Sequence, residues 1–220
     1  MSGNGFNFNK MRKFEHKVGG AMTVYGLKAD ITMPTGYSVD LATLPEKGNV
    51  LPAGTPFAVD DLTKVAQIHY AFKVHSPAAS GASTVQVFKG FEGTRAKVGM
   101  KIGLYTYDAT TILAPLFNSA YITAIDSSNV AFDILTIDAD LPEMEQGDIL
   151  IEVGEDNIIK VIPTATSYAD IPVYGDEEHQ SVDLVHVCNV IYTRRIPPIH
   201  NRIREYMNAN GYFVRFYDGE

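Results

Sequence analysis

GNVLPAGTPFAV, residues Gly48–Val59, reads as a turn running into a strand. Pro52 sets φ for the first corner of the turn, and Gly54 takes a left-handed conformation at little steric cost. Pro56 has no N–H to give a ladder, so the strand it opens must begin at an edge or at its own first residue. Two acids follow, Asp60 and Asp61. Before this stretch the chain is polar and glycine-rich. After it, apolar runs alternate with turn signals almost to the end. The stretch therefore divides an N-terminal arm with short elements, residues 1–47, from a β-rich body, residues 48–220.

Working outward, strands are expected over Phe57–Val59, Val65–Val74, Thr84–Phe91, Val98–Tyr107, Tyr121–Ala124, Val130–Ile137, Ile149–Val153, Ile158–Pro163, Leu184–Tyr192 and Tyr212–Tyr217. The Asp60–Lys64, Asp126–Asn129 and Gln146–Asp148 clusters punctuate them as turns. Tyr168–Glu178 reads as a loop. Short strands at this spacing point to a mainly β fold, a β-sandwich or β-barrel body. One amphipathic helix is expected over Pro198–Asn210, with Ile199, Ile203, Tyr206 and Met207 at helical spacing and Gly211 at the C-cap.

The net charge of −8, from 18 basic and 26 acidic side chains, argues against nucleic acid as a partner. No apolar run is long enough for a membrane-spanning helix, and MSGNGFNFNK carries no secretory apolar region. Synthesis in a cytoplasm is expected. A single cysteine, Cys188, excludes an intrachain disulfide and reads as a small hydrophobe in a strand.

The sequence does not assemble a catalytic site. His179 and His186 stand near Asp176, Glu177, Glu178 and Asp183, but seven residues apart and without a zinc-binding spacing. His69 and His75 are no better placed. There is no GxSxG elbow, no Walker A motif and no GxGxxG. Asp133, Asp138, Asp140, Glu143 and Glu145 read as a solvated face. No enzyme activity, metal or cofactor is expected. The surface offers more. Phe6 and Phe8 are apolar anchors in a locally basic arm with Lys10, Arg12 and Lys13, and Arg194 and Arg195 form a second basic stretch; both suit docking on another protein.

Two stretches carry a resemblance. LPAGTP within Gly48–Val59, leading through Asp60 and Asp61 into an alternating strand, is similar to the turns of capsid decoration and head-fibre proteins of tailed bacteriophages. YTRRIPPI, Tyr192–Ile199, followed by a helix and a closing aromatic strand, resembles the C-terminal part of head-fibre-like proteins in phages of Bacteroidetes hosts, the crAss-like phages included. The resemblance implies a non-enzymatic virion protein on the capsid exterior. It would bind the major capsid protein and form a homo-oligomer such as a trimer. The chain lacks the heptads of a fibre shaft, which favours a compact decoration or auxiliary capsid protein, or the base of a head fibre. A receptor- or glycan-binding β module is the alternative, with Tyr168–Asp176 as its exposed loop.

Overall fold

The computed structural model describes residues 31–32, 37–45, 50–89, 94–105, 118–173, 180–193, 196–210 and 214–217. The protein is mainly β. In chain order the strands are β1 (Ile31–Thr32), β2 (Tyr37–Val39), β3 (Val50–Leu51), β4 (Pro56–Asp60), β5 (Val65–Ile68), β6 (Ala71–Lys73), β7 (Thr84–Phe88) and β8 (Lys101–Leu104). They continue with β9 (Ser119–Asp126), β10 (Phe132–Ile137), β11 (Ile149–Glu152), β12 (Ala165–Ser167), β13 (Ile171–Pro172), β14 (Gln180–Val182), β15 (Leu184–Tyr192) and β16 (Val214–Tyr217). Among the described residues one α-helix, α1 (Asn201–Ala209), lies between the last two strands.

The six strands β6-β11-β8-β9-β10-β7 form a sheet in that order, every pair antiparallel. The sheet closes on itself. Val74, directly after β6, bridges Val87 of β7, and the His75 N–H donates to the Gln86 carbonyl at 2.8 Å. Closure leaves a barrel whose inner positions alternate with outer ones along each strand. Val85 and Val87, Leu135 and Ile137, Ala120 and Ile122 point inward and are buried.

The second sheet follows the path β1-β15-β12-β4-β5-β2-β14, with β16 pairing β15 in parallel. Only Asp183 separates β14 from β15, yet they lie near opposite ends of this path. One run of chain therefore supplies two strands that pair with different partners far apart in this sheet. Of the sandwich and the barrel expected from sequence, the six-stranded sheet shows barrel-like closure, while the second sheet is an open path from β1 to β14.

The chain passes between the sheets at His69–Tyr70. Val65–Val74, expected as one strand, is two strands in two sheets. The cause is visible in burial: Ile68, His69, Tyr70, Ala71 and Phe72 are all buried, so the alternation of a half-exposed strand stops where the chain crosses the interior. His69 Nδ1 donates to the Val161 carbonyl at 2.6 Å, and the Tyr70 hydroxyl donates to the Thr43 carbonyl. The return passage, Val153–Thr164, is pinned to the same place. It is not the strand expected at Ile158–Pro163; a single bridge, Val153 to Ile159, is all the pairing it makes.

The PAGTP stretch is a fixed corner. Gly54 has φ +80°, as the turn requires. Gly54 N–H donates to the Ser167 carbonyl, Thr55 N–H to Ser167 Oγ, Ser167 N–H to the Thr55 carbonyl, and Ala53 N–H to Asp170 Oδ1. Pro56 opens β4 as its first residue, although β4 lies inside the sheet between β12 and β5. Residues 37–45, assigned from sequence to the N-terminal segment, are built into the body: Tyr37 and Val39 are buried in β2, and Thr43 and Leu44 pack beneath it. The loop expected at Tyr168–Glu178 contains β13, which pairs β3; residues 174–179 lie outside the described part.

Helix α1 starts later than Pro198 because Pro197 and Pro198 precede an extended His200, which is its N-cap. His200 Nδ1 accepts from the Arg202 N–H at 3.2 Å, a bond that needs a neutral imidazole. Ile199, Ile203 and Met207 are fully buried against Ile151, Val185 and Ile191, while Arg204 lies over the Phe216 ring at 5.0 Å.

Two outcomes test this packing. Ile203→Asp would place a charge among those apolar side chains and should lower stability by on the order of 3–5 kcal/mol, read from denaturant unfolding. Burial also pushes the His69 imidazole down to about 4, and burial lowers His200 as well. Both pKa values are depressed in the fold, so the stability they allow is complete above about pH 6.5 and is lost as pH falls through the folded values. Between pH 7 and pH 4 the melting temperature should drop, with His69 costing roughly 3 kcal/mol, and His69→Gln should flatten that slope.

Candidate interaction surface

The turn between β4 and β5 is built from Asp60, Asp61, Leu62, Thr63 and Lys64. Asp60 Oδ1 accepts from the N–H groups of Leu62 at 2.9 Å and Thr63 at 3.3 Å. The Thr63 side chain and those two amides hold the Asp60 carboxyl below its ordinary pKa, so it stays ionised. Lys64 takes φ +58°, an uncommon conformation for a side-chain-bearing residue. Its ammonium lies 5.0 Å from the centre of the Tyr37 ring, and the Tyr37 hydroxyl donates to Asp61. Burial, with the Asp61 bond, pushes the Tyr37 phenol up to about 12. On top of this locked turn Leu62 is 96% exposed.

The turn between β9 and β10 repeats the arrangement with different parts. Asp126 Oδ1 accepts from Ser128 N–H, and Asn129 Oδ1 from Ala131 N–H. Lys89 Nζ reaches in to the Ser127 and Asn129 carbonyls at 2.6 and 3.0 Å. Val130, expected from sequence to begin a strand, sits instead at the tip and is 92% exposed. Lys89 also lies 3.2 Å from Asp133 Oδ1. Asp133 was expected on a solvated face. It is 2% exposed, its other oxygen accepting from the Thr94 N–H at 3.2 Å. The correction has a plain cause: β10 alternates, and Asp133 falls on its inner face, where a charge survives only if paired. Asp138, Asp140, Glu143 and Glu145 are exposed, as expected.

On the outer face of the six-stranded barrel, Phe88 and Phe132 stand directly opposite each other. His75 packs against both, ring centres 4.7 and 4.8 Å apart, and Lys73 Nζ is 5.8 Å from the Phe88 ring. Phe88 is 41% exposed. His75 Nδ1 contacts Ser76 Oγ at 2.9 Å. The cluster combines an apolar platform with polar groups at its rim.

The sequence-derived docking residues Phe6, Phe8, Lys10, Arg12, Lys13, Arg194 and Arg195 lie outside the described residues, as do His179 and the side chains of His186 and Cys188. The loop offered to a glycan is engaged within the fold: Asp170 holds the Ala53 N–H, and Tyr168 packs against the core beside α1. Among the described residues no group of three or more His, Cys, Asp or Glu could hold a metal, and no helix is long and apolar enough to cross a membrane. The two apolar tips were missed from sequence, although a lone Leu or Val inside a polar turn is the signal that marks them.

No protein-family model matches the chain, and no curated protein or solved structure matches it.

Lys89→Met would leave Asp133 buried without its cation and the β9–β10 turn without its internal donor. A loss of roughly 2–4 kcal/mol is expected in denaturant unfolding, and Lys89→Met with Asp133→Leu should recover part of it.

Proposed function

We propose that this chain is a non-enzymatic structural protein of a tailed-bacteriophage virion, bound to the outside of the capsid as a decoration protein, auxiliary capsid protein or head-fibre base. The observation that carries the reading is the pair of locked turns, each presenting one almost fully exposed apolar side chain, Leu62 and Val130. Turns ordered before binding add little conformational cost to association, which suits a protein that works through many modest surface contacts. The partner in this reading is the major capsid protein, and the chain acts as a homo-oligomer, such as a trimer, without membrane, nucleic acid or cofactor. The arm fits the same reading. Residues 1–30 carry five basic and two acidic side chains, against a net −8 for the whole chain, so an arm of opposite charge leads an acidic body.

A receptor- or glycan-binding role has one observation in its favour, the Phe88–His75–Phe132 cluster with Lys73 at its rim. Saturable binding of a sugar, lost in Phe88→Ala, would favour it over the capsid reading.

Deleting residues 1–20 should leave the melting transition of the body unchanged and abolish association with capsids. Light scattering and co-sedimentation with capsids that lack this protein measure both. Full occupancy by the truncated chain would remove the arm from the interface.

A further inference from the structure

We propose that the Asp60–Lys64 turn is the prong by which this protein seats on its capsid partner, Leu62 entering an apolar pocket of a folded protein surface whose rim is basic. The proposal rests on the capsid reading above. A single exposed leucine on a protein surface means little by itself. Leu62 differs in what lies beneath it. Asp60 ties down two amides of the turn, Tyr37 bonds Asp61, and Lys64 is held at positive φ. Such a conformation costs of order 1 kcal/mol or more and persists where its surroundings enforce it, a pattern found at recognition sites. The fold spends this order on a side chain that it does not itself bury.

The chemistry of the rim sets the chemistry of the partner. Asp60 is kept ionised by its hydrogen bonds, and Asp61, 69% exposed at its side chain, pairs with Lys64 Nζ at 3.7 Å, which leaves the turn with two carboxylates to one ammonium. A net-acidic rim beside one leucine matches a pocket lined by aliphatic groups and edged by Lys or Arg. Val130 also crowns a locked turn, but Ser127, Ser128 and Asn129 surround it, and its charges are one carboxylate, Asp126, and the Lys89 ammonium, so it has no net-acidic rim. Position favours the Leu62 turn as well. It lies at the end of β5 remote from the His69–Tyr70 crossing, and Tyr37, which clamps it, follows closely on the basic N-terminal segment. Turn and clamp thus belong to the same sheet, Tyr37 in β2 and the turn between β4 and β5.

The experiment is co-sedimentation of the purified full chain with capsids that lack it, over a concentration series. Wild type is compared with Leu62→Asp, Leu62→Ala and Val130→Asp. Leu62→Asp should bind about tenfold or more weakly, Leu62→Ala should shift in the same direction, and Val130→Asp should stay within about twofold. Wild-type binding should weaken as salt rises, because the rim contact is ionic. All variants should melt like wild type, since the substituted side chains are solvated. Wild-type binding that persists undiminished in both Leu62 variants overturns the prong and leaves the capsid reading standing. Equal losses in the Leu62 and Val130 variants overturn the assignment to this turn. A wild-type chain that does not bind capsids removes the capsid reading, and the prong with it.

Discussion

Two sheets, one of them closed, are held in one body by a two-residue crossing. His69 and Tyr70 leave one ladder and enter the other through the interior, and a backbone there must find its partners without water. The His69 N–H reaches the Pro56 carbonyl, and the Glu152 N–H reaches the Tyr70 carbonyl. The two side chains then tie in the segments that pass closest, Val161 on the return path and Thr43 under β2. His69 does this as a neutral imidazole, because the site is too dry for a cation. Glu152, buried beside the crossing, accepts from Lys160 Nζ at 2.6 Å. The apolar core runs continuously through this point: Phe57 and Ile68 of one sheet and Phe72 and Leu150 of the other belong to one cluster.

Closure has a consequence for recognition. A closed sheet offers few free backbone edges on which a partner strand could add. On the six-stranded sheet, contacts are left to turns and outer faces. In the turns, the aspartates at Asp60 and Asp126 perform the same service, folding the backbone back on itself so that the tip residue is presented rather than packed. Sequence assigned these aspartates to turns. Their effect on Leu62 and Val130 became visible only when the strands on either side were in register.

Several features were legible in the residues because they depend on neighbours in sequence. The alternation of Thr84–Phe88 buries Val85 and Val87 and leaves Thr84 and Phe88 outside, as period two requires. The 3.6-residue spacing of Ile199, Ile203 and Met207 located the helix, and its late start follows from the two prolines before it. Leu184–Tyr192 was bounded correctly by its apolar run. Asp133 was misread because an acid on the inner face of a strand looks, in sequence, like an acid on the outer face; Lys89, forty-four residues upstream, is what lets it stay there.

The sequence by itself determined the kind of structure: strands, turns, one helix and an acidic body led by a basic arm. Each of these follows from local backbone preference, side-chain period and charge. Tertiary structure decided which strands share a sheet, that Val65–Val74 divides between two of them, and that β14 and β15, neighbours in sequence, lie far apart in one. Those outcomes depend on pairings between residues far apart in the chain, such as Val74 with Val87 across a loop and His69 with Val161 across more than ninety positions. Local preference is silent about them, because the free energy that selects one pairing over another comes from burying a shared core.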